Sequence, residues 1–202
     1  MKLSLVVNWL KTISYTIGWL FLVLAPLAAI RARLRPGGRE EAGAKLWLSL
    51  PLLLMQTGLF FVVGWWLWVP LPVQIDTLAK NWLIVLGTPF HWGGLALYAW
   101  GMQTLGRMFG ASSTRGVRLH AGHQLITSGP FRFVRHPMYL GVILAAFGGL
   151  LIYQTQAMAI ALVGSFGLAL RAQREERVLA EEFEKEWTEY AARTPGWIPR
   201  RR

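Results

Sequence analysis

The sequence predicts an all-α fold: an integral membrane bundle of about five transmembrane helices, with a cytoplasmic loop and an amphipathic C-terminal helix. Three observations predict it. The composition is too apolar for a soluble domain: 54% of the 202 residues are hydrophobic before 21 glycines are counted, and 15% are charged, against roughly 25% in soluble domains. The apolar residues lie in long runs separated by basic segments. The basic residues are asymmetric, falling almost entirely in segments that five spans would place on one side. Eleven tryptophans fit lipid interfaces, where an amphipathic ring is favoured. The absence of cysteine excludes a secreted disulfide scaffold, and the hydrophobicity excludes a disordered chain.

The runs follow in order. Run one is about Thr12 to Ile30, run two Leu46 to Val69, and run three Asn81 to Leu105. Gly87, Pro89, Gly93 and Gly94 interrupt run three, which lipid-embedded helices tolerate. Run four spans Pro137 to Tyr153, and run five, about Ala157 to Leu170, is short against the roughly 20 residues of a span. Only Gln154, Thr155 and Gln156 separate these two, so they form a tight antiparallel hairpin. Beyond Leu170 a polar helix runs to about Arg193, its stripe of Leu179, Phe183, Trp187 and Tyr190 at helical spacing. Packing on the membrane surface or the preceding loop accounts for that stripe. Pro195 and Pro199 end the pattern. Residues 1–105 thus form an N-terminal set of three helices. Residues 106–202 comprise a loop, the hairpin of helices four and five, and the cytoplasmic helix. Met1 to Lys11 lacks the features of a signal peptide.

Of 21 Lys and Arg, 18 lie between runs one and two, between runs three and four, or after run five. The positive-inside rule makes that side cytoplasmic, with the N-terminus outside and the C-terminus inside. The net charge of +11 is therefore topological, and no basic-aromatic module supports a nucleic-acid partner. The expected setting is a bacterial inner membrane, with membrane lipids and a lipophilic small molecule as partners. Nothing in the sequence fixes an oligomeric state.

Three constellations carry chemistry. The first is His123-Gln124-Leu125-Ile126, followed by Thr127 to Phe131. The second is Arg135-His136-Pro137-Met138-Tyr139 with Gly141, at the mouth of span four. Proline there suits the first turn of a helix, where its missing N–H is not needed. The third is Arg171 with Glu175 and Glu176, just past span five. The short hairpin brings the second and third together. Arg171 and Glu175 share a helix face, and Arg preceding Glu is the poorer orientation for a plain helix ion pair. A carboxylate beside a guanidinium offers one group for a ligand ammonium or sulfonium and another for a ligand carboxylate. The plain ion pair is the alternative, as a snorkelling anchor is for Arg135. His91, inside span three, reads as an interhelical hydrogen bond rather than a catalyst. His120, His123 and His136 lack the spacing of a metal site, and no nucleotide-binding glycine loop is present.

The stretch from Gly129 to Gly141 resembles the signature of the isoprenylcysteine carboxyl methyltransferase family. The related membrane phospholipid methyltransferases share its Arg-His-Pro-x-Tyr-x-Gly core and a downstream Glu-Glu pair. Glu175, Glu176, Leu179, Phe183, Trp187, Tyr190, Arg193 and Pro195 fit as well, so the resemblance covers about residues 105 to 199. It implies S-adenosylmethionine as cofactor, contacted by His123, Gln124, Leu125, Ile126, Phe131, His136, Pro137, Met138, Tyr139 and Glu176. The implied catalytic, substrate-side pair is Arg171 and Glu175. Phe131 and Trp187 stand where the family often has tyrosine.

The implied reaction is methyl transfer to a lipophilic acceptor, foremost a prenylcysteine-like carboxylate. The alternatives are a phospholipid or other lipophilic amine or thiol acceptor, a sterol-type membrane reductase using NADPH, and a non-catalytic membrane protein. A carboxylate needs no general base, whereas an amine, hydroxyl or thiol needs one, with His136 or Glu175 the candidates.

Overall fold

The computed structural model describes residues 3–34, 37–40, 49–109, 112–113, 116–120, 122 and 124–199. Six helices account for most of them: α1 (Leu3–Arg33), α2 (Leu50–Trp66), α3 (Thr77–Leu105), α4 (Pro137–Tyr153), α5 (Gln156–Ser165) and α6 (Leu168–Arg193). Runs one to four each hold a helix, and Pro137 starts α4 at its first turn as expected. Asp76 begins α3 earlier than the apolar pattern does, because its Oδ1 accepts from the backbone N–H of Leu78 and Ala79 at 2.9 and 3.0 Å.

Three features depart from the reading above. A small antiparallel sheet in the order β1-β3-β2 joins Gly37–Glu40, Ser112–Ser113 and Gly116–His120. Run five is not one helix continued into the next, since the chain breaks at Phe166 and Gly167 and α6 begins inside the apolar stretch. And the C-terminal helix is bent at Glu184, which adopts a left-handed φ of 39°. The bend divides the expected stripe. Trp187 and Tyr190 are buried beyond it, while Leu179 packs beside Val178 before it.

Among the described residues one helix, over Leu3–Ala32, is long and apolar enough to cross a membrane; Leu50–Trp66 and Pro137–Tyr153 are apolar but shorter. The exterior is unusually apolar. On α2 no residue is buried, and Leu54, Met55, Leu59, Phe60, Val62, Trp65 and Trp66 all face outward.

The connections sort to two ends of the bundle. At one end the segment after α2 pairs with the α4–α5 turn: Leu71 N–H donates to Gln154, Gln156 to Val69 and Ala157 to Leu67, at 2.8, 2.9 and 2.9 Å. Gln154 closes that turn in the left-handed conformation, φ 52°. At the other end lie the sheet, the turn Gly129–Arg132 and the C-terminal segment, so the loops after α1 and α3 share one side.

Glycines set the distance between α3 and α4. Gly87, Gly94 and Gly101 recur every second turn of α3 and face Gly148, Gly141 and Met138 of α4. A Cβ on Gly94 would stand 2.5 Å from the Gly141 carbonyl, and one on Gly87 2.7 Å from that of Gly148. Small residues at such seams let backbones approach closely, which is the main source of helix association where no hydrophobic effect operates. The seam fixes the first turn of α4 against Gly101 and so positions the site described next. His91 lies on the same seam, 6% exposed, its Nδ1 2.8 Å from the Ala145 carbonyl. That is the interhelical hydrogen bond expected of it.

Candidate active site at the foot of the α4–α5 hairpin

The second and third sequence constellations meet where α4 begins and α6 leaves the bundle. Adjacent residues on a helix point about 100° apart, so Glu175 and Glu176 face different partners. Glu175 Oε1 accepts from the Tyr139 hydroxyl at 2.5 Å and lies 3.6 Å from Arg171 Nε. The Arg171 guanidinium sits 5.3 Å from the centre of the Tyr139 ring, a cation–π position. Tyr139, Arg171 and Glu175 are each half-buried. They are therefore neither fully sealed nor a loose surface pair.

Glu176 belongs to a second network. Arg135 holds it through two prongs, Nε to Oε1 at 2.9 Å and Nη2 to Oε2 at 3.2 Å. His136 Nε2 donates to the same Oε1 at 2.6 Å, which fixes the proton on that nitrogen because an ionised carboxylate only accepts. Burial acts against the charged form of Glu176. The hydrogen bonds from His136 and Arg135 and the neighbouring positive charge outweigh it and hold the carboxyl at about 2, against an ordinary 4.5. The third prong of Arg135 reaches the end of α6, where Nη1 donates to the carbonyls of Ala191 and Thr194 at 3.1 and 2.7 Å. These carbonyls have no partner within the helix. Arg135 is thus an internal clamp, not the lipid-facing anchor weighed for it.

The turn before α4 is held from the same side. The Tyr190 hydroxyl donates to the backbone carbonyl of Phe131 at 2.7 Å, and burial, offset by Arg135 and reinforced by Glu176, pushes that hydroxyl up to about 12. Trp187, 7% exposed, packs edge-on to Tyr190 and beneath the Arg135 guanidinium. Phe131 and Val134 are buried.

Of the expected site residues, His136, Tyr139, Arg171, Glu175 and Glu176 come together in these two networks. Pro137 and Met138 are buried in the α3 seam, Met138 against Gly101. Phe131 takes part through its backbone. Gln124, Leu125 and Ile126 form the coil leading to Gly129, with Gln124 exposed and the other two half-buried, and they do not join the networks by any described hydrogen bond. His123 lies outside the described residues.

Sequence reasoning missed the participation of Thr194 to Trp197. Arg135 N–H donates to the Pro195 carbonyl at 2.9 Å and His136 N–H to that of Gly196 at 3.1 Å. The sequence signals there, Pro195 within the family resemblance and the Pro195–Gly196 pair, mark the end of a helix but not where the chain goes next.

The geometry defines a class: a helical protein whose hairpin foot carries two interlocked Arg–Glu pairs, one bound to a tyrosine and one to a histidine. Residues 88–183 match the model of the isoprenylcysteine carboxyl methyltransferase family. The cobalt-zinc-cadmium resistance protein CzcN of Cupriavidus metallidurans is 35% identical over 103 residues, 49% of this chain and 45% of that one. Protein-S-isoprenylcysteine O-methyltransferase B of Arabidopsis thaliana is 33% identical over 85 residues, 41% and 43% of the two chains. The nickel-cobalt-cadmium resistance protein NccN of Alcaligenes xylosoxydans xylosoxydans is 31% identical over 101 residues, 49% and 46%. The chain spans less than half the length of these curated relatives.

Proposed function

We propose that the protein is a membrane-embedded methyltransferase that uses S-adenosylmethionine and acts on the carboxylate of a lipophilic, prenylcysteine-like acceptor. The observation that carries this reading is the Tyr139–Glu175–Arg171 juxtaposition inside the family-matched region. Embedding is supported by the many outward-facing apolar side chains of α1, α2 and α5. The two ends of the bundle suit five spans with the basic loops and the C-terminus on the cytoplasmic face.

The residues present suit the cofactor's chemistry. A half-buried carboxylate and an aromatic face favour a cation, and a guanidinium favours a carboxylate. When bound, S-adenosylmethionine supplies an electrophilic methyl group on a sulfonium. Glu175, oriented by the Tyr139 hydroxyl, presents negative charge toward a ligand cation. Arg171, on the same helix face, orients the acceptor carboxylate, which is itself the nucleophile and needs no base. Arg135, Glu176 and His136 hold the first turn of α4 against the end of α6, so Glu176 acts here through His136 rather than on a ligand. Gln124, Leu125, Ile126 and His123 remain candidate contacts to the rest of the cofactor.

A second reading concerns the acceptor alone. CzcN and NccN are named for metal resistance, not for prenylcysteine, and the second reading is a lipophilic amine or thiol acceptor. The deciding experiment supplies methyl-labelled S-adenosylmethionine to the purified protein with farnesylcysteine analogues or a total lipid extract. Label released as methanol by mild base identifies a carboxyl ester and supports the first reading. Base-stable label in an extract component supports the second. No transfer, with thermal stabilisation by NADPH instead, overturns both.

A further inference from the structure

We infer that the segment Thr194–Trp197, beyond residues 88–183 that match the family model, is a strap that completes the site, and that Trp197 is the positioning residue for His136. The inference rests on the methyltransferase reading and deepens it. Four contacts place the strap. Two are main-chain hydrogen bonds, from Arg135 and His136 to Pro195 and Gly196 at 2.9 and 3.1 Å. The third is the bond from Arg135 Nη1 to the Thr194 carbonyl. The fourth is aromatic: Trp197 packs against the His136 ring at 5.4 Å and 35°, and that ring is also nearly parallel to Tyr139, at 11° with centroids 5.7 Å apart.

Gly196 crosses directly over the ion pair. A Cβ built on it would meet Arg135 Nη2 at 3.6 Å, Glu176 Oε1 at 4.0 Å and His136 Cδ2 at 4.0 Å. The strap therefore roofs the Arg135–Glu176–His136 network, and His136 is left 6% exposed. An imidazole has one soft torsion about Cβ–Cγ, broad and roughly two-fold. Glu176 restrains it through one nitrogen only, and the flat faces of Tyr139 and Trp197 remove the remaining freedom. Tyr139, which binds Glu175, contacts the same imidazole. A shift of Trp197 therefore reaches Glu175 through His136 and Tyr139. Sites whose side chains are locked by packing hold the geometry that binding requires.

The test uses the full chain in detergent, with Trp197→Ala, Trp197→Phe and, as control, the well-exposed neighbour Ile198→Ala. Two quantities are read: the ring-proton resonances of His136, which feel the ring current of Trp197, and S-adenosylmethionine affinity by calorimetry. Trp197→Ala is expected to move the His136 resonances downfield and weaken affinity about tenfold or more. Trp197→Phe recovers most of both, and Ile198→Ala changes neither. A wild-type protein that binds S-adenosylmethionine while Trp197→Ala binds equally well overturns the strap and leaves the function standing. Unmoved His136 resonances in Trp197→Ala overturn it too. No binding by the wild type overturns the methyltransferase reading itself.

Discussion

Arg135 offers the sharpest separation between a surface anchor and an internal clamp. Its guanidinium makes two bonds to Glu176 and two to the last carbonyls of α6. The two side chains are 18% and 28% exposed, so the pair is partly screened but not surface. Removing one member of a buried pair costs about 3–5 kcal/mol, because the partner charge is stranded. Partial exposure lets water reach Glu176 and brings the expectation for Arg135→Ala to about 3 kcal/mol. Arg135→Lys keeps the charge but cannot span two oxygens and two carbonyls, and should cost about half as much. An exposed anchor would be worth about 0–1 kcal/mol in either variant. Reversible unfolding in mixed micelles measures the difference, and a cycle with Glu176→Ala should return a coupling of about 1–2 kcal/mol. A loss under about 1 kcal/mol for Arg135→Ala, or no coupling, refutes the clamp.

Three further outcomes are expected. Gly94→Leu should destabilise by about 3 kcal/mol or prevent folding, since its side chain meets the α4 backbone, whereas Gly93→Ala, with open space around it, should be neutral in the same unfolding assay. Glu176 has a folded value below its ordinary one, so the stability it contributes is complete above about pH 4.5 and lost as pH falls toward 2; acid titration should show a loss of about 1–3 kcal/mol across that window, absent in Glu176→Gln. Arg171→Lys should lose most turnover while retaining S-adenosylmethionine affinity, because a point charge cannot grip a carboxylate by two bonds, and near-normal turnover would return Arg171 to an ion-pair role.

The helices were legible because a long apolar run has few alternatives to a helix, and Pro137 marks a first turn by its own chemistry. The meeting of Tyr139 with Glu175 was legible because a three-residue turn leaves a hairpin little freedom. The sheet was not. Pairing of Gly37–Glu40 with Gly116–His120 joins segments far apart in sequence; Gly37–Glu40 has no apolar side chain, and Val117 and Leu119 give Gly116–His120 only a two-residue alternation. The bend at Glu184 was equally hidden, since a left-handed residue is signalled by glycine or asparagine and glutamate carries no such mark. The break at Gly167 did have a signal. It was masked because glycine is common inside apolar helices and run five was read as continuous.

The division of labour between the two glutamates follows from helix geometry alone. Glu175 and Glu176 are neighbours in sequence, yet a rotation of about 100° per residue sends one carboxylate to Tyr139 and the other to Arg135 and His136. His136, the residue capping α4, and Tyr139 in its first turn are three apart, their rings nearly parallel at the helix entrance. Two consecutive acids on α6 therefore match two residues three apart at the start of α4, and the pairing can form in only one register. Sliding α6 by one residue would bring Glu176 to Tyr139 and leave Arg135 and His136 without an anion. Arg135 carries that register to the other end of the same helix through Ala191 and Thr194, so the contact that orients His136 also fixes where the strap begins. The consecutive acids are a registration device as much as a binding pair. That is why one of them is bound by Arg135 and His136 while its neighbour meets Tyr139 and Arg171.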